Sequence, residues 1–184
     1  MTKKYGKEVQ QRITAKKGTL KMTNAVKQGL LIILVMLLSA TAGVWFYYYH
    51  QTDFETLQGE TYKWRDLEGN WVIINYFAPW CAPCLREMPE LHHLSENLPP
   101  NTLLFAINYD VLPEDDLQAM ANKFDITLNL IVANEETQLP ITKPPYLPAT
   151  YIVGPKGQVQ AEILGEVTAD ILKDKIAALQ ARAL

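Results

Sequence analysis

Cysteine is scarce in this chain: two residues, Cys81 and Cys84, among 184. That excludes a disulfide-dense scaffold and leaves room for one intrachain bridge. Histidine is equally thin, with His50, His92 and His93 and none beyond residue 93. A structural zinc site built on C-x-x-C needs a second such pair, which is missing. His92 and His93 follow Cys84 by eight and nine residues on a segment that reads as rigid helix. Charge is missing altogether from Gln28 to Tyr49, a run without Lys, Arg, Asp or Glu. There is no internal repeat and no low-complexity tract.

The uncharged run is long enough to matter. Twenty-two helical residues reach roughly 33 Å, which crosses a bilayer core. Trp45, Phe46, Tyr47, Tyr48 and Tyr49 stand at its far end like an interfacial aromatic belt. Residues 1–28 carry eight Lys/Arg against the single acid Glu8, whereas residues 29–184 carry nine basic and nineteen acidic residues. A basic tail can be a nucleic-acid arm. Abutting an apolar run, it is better explained by a membrane, so no nucleic-acid partner is expected. The positive-inside rule then predicts a cytoplasmic tail over residues 1–27, a transmembrane anchor over 28–49, and the remainder outside. Ala40-Thr41-Ala42 resembles a signal-peptidase site and offers a competing reading. The long basic leader and the apolar character continuing to Tyr49 favour an uncleaved anchor. On either reading the cysteines face a disulfide-permissive compartment.

Beyond the anchor, residues 50–58 read as a polar linker and residues 59–184 as one domain, large enough to bury a core. Thr61–Trp64 has a short alternating pattern, and Asp66-Leu67-Glu68-Gly69-Asn70 carries turn chemistry. Trp71–Phe77 is apolar on both faces, as a central strand requires. A helix is predicted from about Ala82 to Asn97, with Leu85, Met88, Leu91 and Leu94 on one stripe and a kink at Pro89. Thr102–Asn108 reads as a second buried strand. Pro113–Phe124 reads as a helix with acidic residues in its first turn, and Leu117, Met120, Ala121 and Phe124 form its apolar face. Leu128–Ala133 reads as a strand, and Asn134–Leu139 as a short helix or a loop. Ala149–Val153 and Gln158–Ile163 form a hairpin around Gly154-Pro155-Lys156-Gly157. Thr168 can cap a last helix, with Leu172, Ile176 and Leu179 facing the sheet. This order predicts an α/β fold, a sheet with helices on both faces.

Cys81-Ala82-Pro83-Cys84 sits where the central strand hands over to a helix. A C-x-x-C at that junction is a redox motif. Unpaired amides at a helix start favour negative charge, so Cys81 is expected to be the attacking thiolate. Cys84, one turn later, is expected to be the resolving thiol. A purely structural disulfide is the competing reading, but so short a loop removes little unfolded-state entropy. No cofactor is expected beyond the dithiol itself. No histidine stands between the cysteines, and a histidine there would favour an oxidant by stabilising the thiolate further.

Ala78-Pro79-Trp80-Cys81-Ala82-Pro83-Cys84, followed by Arg86-Glu87-Met88-Pro89, resembles the membrane-anchored thioredoxin-like proteins of the TlpA/ResA type. The resemblance spans most of residues 58–180, including Asp66-Leu67-Glu68-Gly69 and Leu147-Pro148-Ala149-Thr150. It implies a thioredoxin-like fold, a central mixed sheet with helices on both faces, behind one N-terminal transmembrane helix. It implies a thiol–disulfide oxidoreductase that reduces protein disulfides. Pro148 becomes the cis-proline facing the cysteines, with the Leu147 backbone open to an extended substrate. Glu87 matches a family acid that tunes thiol protonation; the bland alternative is a solvated helix acid like Glu90 or Glu96. Asn75 stands where thioredoxin itself has a buried aspartate and matches this subfamily instead. Trp80 shapes the surface around Cys81. Tyr109 and Asp110 border the site or, more blandly, fill a loop.

The implied partners are disulfide-bearing protein clients, apocytochrome c among them, and a membrane thiol reductase that recharges the dithiol. The implied location is the bacterial inner membrane, single-pass, with the catalytic domain periplasmic. Two rivals remain: a disulfide oxidant or isomerase, and a copper-binding chaperone on a similar fold. The latter type usually spaces its cysteines one residue further apart and adds a distant histidine, which this chain lacks.

Overall fold

The structure is a computed structural model and describes residues 24–183. Most of the expected basic tail, residues 1–23, therefore lies outside the described residues. The chain divides into two units at His50. The first contains α1, Asn24–His50, whose apolar side chains from Leu30 to Tyr49 are exposed. By length and composition α1 can cross a membrane.

The second unit begins with two short strands, β1 (Phe54–Glu55) and β2 (Thr61–Tyr62), and a 3-10 turn over Trp64–Leu67. Gly69, at φ 88°, turns the chain into β3 (Trp71–Phe77), a conformation that favours glycine. Then follow α2 (Ala82–Glu96), β4 (Thr102–Asn108), α3 (Glu114–Lys123) and β5 (Asn129–Ile131). The hairpin of β6 (Ala149–Val153) and β7 (Val159–Leu164) leads to α4 (Ala169–Ala183). Residues 134–139 form turns rather than a helix. Leu85 is only half-buried; the face that α2 buries is Cys84, Glu87, Met88, Leu91 and Leu94, a 3.6-residue period. The helix runs unbroken through Pro89.

The sheet order is β5-β4-β3-β6-β7, with β3, β4 and β5 parallel and β6 and β7 antiparallel to their neighbours. β3 to β4 to β5 steps outward in one direction. Right-handed crossovers therefore place α2 and α3 on the same face. That face buries Ile73, Phe77, Leu104 and Ile152 with Leu91 of α2, Leu117 of α3, and Leu172 and Ile176 of α4. The alternate residues Val72, Ile74, Tyr76, Phe105 and Tyr151 point to the other face.

The thioredoxin-like fold of mixed sheet and helices stands, but the expectation of helices on both faces needs correction, because all three α-helices of the domain pack on one face. The second face is covered by Phe54, Tyr62, Trp64 and Leu67, that is, by β1, β2 and the 3-10 turn. The linker reading of residues 50–58 is corrected with it. Phe54 is buried, stacks on Tyr62 at 5.1 Å and meets the edge of Phe105 at 5.3 Å. One phenylalanine among polar residues carries no periodicity, so the sequence pattern hides it.

Candidate active site

β3 ends at Phe77, and after the four residues Ala78–Cys81 the chain enters α2 at Ala82. Cys81 is the N-cap of α2, and its Sγ accepts from the Cys84 amide at 3.3 Å. Pro83 occupies the first turn, where its missing N–H costs nothing. Cys81 and Cys84 are joined as a disulfide, with Cα atoms 5.3 Å apart. Cys81 is 5% exposed and Cys84 0%, so one sulfur borders the surface and the other is enclosed. Cys81 is thus the sulfur a second molecule could reach, and Cys84 the shielded one. A sulfur capping a helix sits where amide N–H groups favour a thiolate once the bridge opens.

Glu87, one turn beyond Cys84, is 2% exposed and is not a solvated helix acid. Its Oε1 accepts from Asn75 Nδ2 at 2.8 Å and its Oε2 from the Val167 amide at 2.9 Å. Burial lifts its carboxyl from the ordinary 4.5 to about 7; the two donors oppose that rise and the Glu166 charge adds to it. Glu90 departs from the solvated reading as well, because its Oε2 accepts from the Ala169 amide at 3.1 Å. The two carboxylates, three residues apart on α2, thus receive main-chain N–H groups at and just before the start of α4. Thr168 caps α4 through the Ile171 amide at 3.3 Å.

Asn75 Nδ2 also lies 3.0 Å from Thr150 Oγ1, and both residues are fully buried. They are register partners across β3 and β6, on the helix-covered side of the sheet. Asn75 Oδ1 has no partner among the described residues.

On the open side, Cys81 shares a groove with Trp80, Pro83, Tyr109, Tyr146 and Leu147. The Leu147–Pro148 bond is cis, the only cis bond among the described residues; Pro144 and Pro145 are trans. Pro148 is buried and its carbonyl accepts from the Gly165 amide at 2.8 Å. Trp80 Nε1 donates to Asp110 Oδ2 at 2.6 Å, and its ring stands edge-on to Tyr109 at 6.1 Å. Lys143 Nζ lies 3.8 Å over the Tyr109 ring. Tyr109 therefore lines the groove, and Asp110 supports it through Trp80, so neither merely fills a loop. Arg86 and Glu166 form an exposed ion pair between α2 and the segment before α4.

Val167 and Lys143 escaped the sequence reading, which named Asp110 only as a border or loop residue and Thr150 only within the Leu147–Thr150 motif. The signal for the buried role of Thr150 was a polar residue inside an otherwise apolar strand. Among the described residues no three His, Cys, Asp or Glu side chains cluster as metal ligands.

The arrangement can exchange a disulfide: one bordering sulfur, one enclosed sulfur, and a buried acid that titrates near neutrality. Comparison with known proteins agrees. The thioredoxin-like protein YneN of Bacillus subtilis is 28% identical over 124 residues, covering 66% of this chain and 72% of that one. The thiol-disulfide oxidoreductase ResA of Geobacillus thermodenitrificans is 25% identical over 125 residues, covering 67% and 71%. Among solved structures, the exposed lipoprotein thioredoxin Etrx1 of Streptococcus pneumoniae matches with a TM-score of 0.60 at 17% identity, covering 68% of this chain and 96% of that one. StoA of Bacillus subtilis matches at 0.55 and 18%, covering 66% and 92%. Both likenesses speak for the fold. Residues 50–162 match the AhpC/TSA family. With that match spanning β1 to β6, both cysteines and the cis-proline, the chain belongs to the AhpC/TSA family, among its TlpA/ResA-like thioredoxin-like members.

Proposed function

We infer that this chain is a membrane-anchored thiol–disulfide oxidoreductase that reduces protein disulfides outside the cytoplasm. The observation that carries the reading is the Cys81–Cys84 pair at the start of α2, with Cys81 as N-cap and Cys84 enclosed above Glu87. The active group is the dithiol, and its oxidised form is the disulfide described above.

The reaction balances as a two-electron exchange. The Cys81 thiolate attacks one sulfur of the client disulfide, and a mixed disulfide forms while the other client sulfur leaves as a thiolate and takes a proton. Cys84 loses its proton and attacks Cys81 Sγ. The second client thiolate leaves, the client is reduced, and Cys81–Cys84 is oxidised. Glu87, half-protonated near pH 7, is the acid placed to take the Cys84 proton and return it in the reverse direction. A membrane thiol reductase then recharges the pair.

The reductant direction is supported by Ala82-Pro83 between the cysteines, which adds no positive charge to hold a thiolate. The outside location is supported by α1 and the basic residues that precede it. Within this reading, the TlpA/ResA likeness suggests keeping apocytochrome c cysteines reduced as one task.

Trapping tests the roles. Cys84→Ser should accumulate mixed disulfides through Cys81, and their mass identifies the clients. Trapping by Cys81→Ser instead would reverse the two roles. Equilibration with glutathione tests the direction: a potential near about −120 mV, that of a strong oxidant, overturns the reductant reading. Labelling of Cys81 in reduced whole cells by a membrane-impermeant maleimide tests the side.

A further inference from the structure

Apolar surface is concentrated at the cysteine end of the domain. Its three most exposed large apolar side chains are Val111, Trp80 and Tyr146, at 69%, 63% and 56%. Exposed apolar clusters of this kind mark interaction sites. Trp80 does more than shape the Cys81 groove. It also lines a second groove with Pro79, Leu112, Ala119, Met120 and Phe124, whose one charge is Lys123. Trp80 is thus a wall common to two grooves, one lined by Cys81 and the other by residues of α3. Asp110 and Tyr109 fix that wall in place.

We propose that the groove between Trp80 and α3 takes a bulky apolar side chain (Phe, Leu or Met) from the same extended client segment whose disulfide reacts at Cys81. The inference rests on the oxidoreductase reading above and adds the class of client. The occupant follows from continuity: the two grooves share one wall, so a segment held at Cys81 and laid across Trp80 runs directly into the second. An extended chain advances about 3.3 Å per residue, so it clears an indole in roughly two to four residues. The apolar residue then stands that far from the client cysteine. The lining favours such a side chain, being apolar except at Lys123, whose ammonium lies 5.4 Å from the Phe124 ring centre.

The test uses the full chain in detergent and three disulfide substrates. Two are peptides identical except for Phe or Ser three residues from the reactive cysteine; the third is oxidised glutathione. The reduced chain should favour the Phe peptide by about tenfold in kcat/KM, the scale of partly burying one aromatic ring. Ala119→Glu, an exposed change on α3 that keeps helix propensity, should bring the ratio to about one. Leu112→Ser should lower it in the same direction. A wild-type ratio near one, or a ratio that Ala119→Glu leaves intact, overturns the proposal. A concentration-dependent dimer that Ala119→Glu breaks assigns the groove to a second copy and also overturns it. Failure to reduce any of the three substrates overturns the oxidoreductase reading itself, an outcome distinct from the loss of peptide preference alone.

Discussion

Asn75 Nδ2 lies 2.8 Å from Glu87 Oε1, so the central strand holds the carboxylate of the helix that carries both cysteines. The same Nδ2 reaches Thr150, while Asn75 Oδ1 meets no partner among the described residues. A hydroxyl donates or accepts, and an amide presents either face. With Glu87 charged, Nδ2 faces it. With Glu87 protonated, a turned amide offers Oδ1 to the new O–H, and Thr150 donates in place of accepting. The pair suits both protonation states of the acid.

Glu87 makes stability depend on pH. Its folded value of about 7 lies above its ordinary 4.5. Below the lower value both states are protonated and the folded state bears no penalty. Between the two the unfolded chain releases a proton that the folded chain keeps, so stability falls as pH rises, by roughly 3 kcal/mol at most. Urea denaturation of the wild type at pH 5 and pH 8 should show this loss. Glu87→Gln cannot titrate, so its two values should converge. A pH dependence unchanged by Glu87→Gln would rule the carboxyl out as its source.

Asn75→Asp should push the same group further up. It replaces a donor with a second carboxylate beside Glu87, and two buried like charges resist joint ionisation. The pH at which the reduced chain resolves a mixed disulfide most rapidly should move up by about one unit or more. Stopped-flow release of a client thiol across pH 5–9 measures it. Asn75→Leu removes the donor without adding charge and separates the two effects.

Phe54→Ala should destabilise the domain by about 3–5 kcal/mol, the usual cost of emptying a buried aromatic site. Chemical denaturation reads the change directly. A value near zero would return residues 50–58 to a linker role. The mutation lies far from the reacting sulfurs in sequence, so exchange rates measured below the melting transition should hold.

These two regions show what the sequence could and could not reveal. β3 was legible because Trp71–Phe77 is apolar throughout, and α2 because its apolar residues recur at helical spacing. Cys81 and Cys84 were legible because no other residue types place reactive sulfur at a strand–helix junction. Phe54 was not, because its partners Tyr62 and Phe105 come from register, which a lone aromatic residue does not encode. The acid network was half-legible. Asn75 and Glu87 each stood out alone, but their pairing depends on Asn75 pointing to the α2 side of the sheet. The second donor, the Val167 amide, has no side chain to betray it. The second face was misread for a topological reason: two crossovers in one direction put α2 and α3 on one side, and α4, after the hairpin, packs there too.

Asp110→Ala should loosen Trp80 without harming the fold. The bond is exposed, so stability should change by no more than about 0.5 kcal/mol. The freed indole should show faster fluorescence depolarisation, with Trp45, Trp64 and Trp71 replaced by Phe to isolate it. Exchange with a peptide disulfide should slow severalfold relative to oxidised glutathione, as a fixed wall becomes a moving one. Equal slowing on both substrates would mean that the wall serves no peptide.

Pro148 limits what the main chain can offer at the mouth of the site. Proline has no N–H, and the Pro148 carbonyl is already taken by Gly165. A visiting strand that pairs at this edge therefore finds only the peptide groups around Leu147. That gives a ladder about one residue long, too short to choose among visitors by backbone alone. Selectivity is left to side-chain pockets, and a client repertoire would be widened or narrowed by mutations on either side of Trp80 without altering the sulfur chemistry.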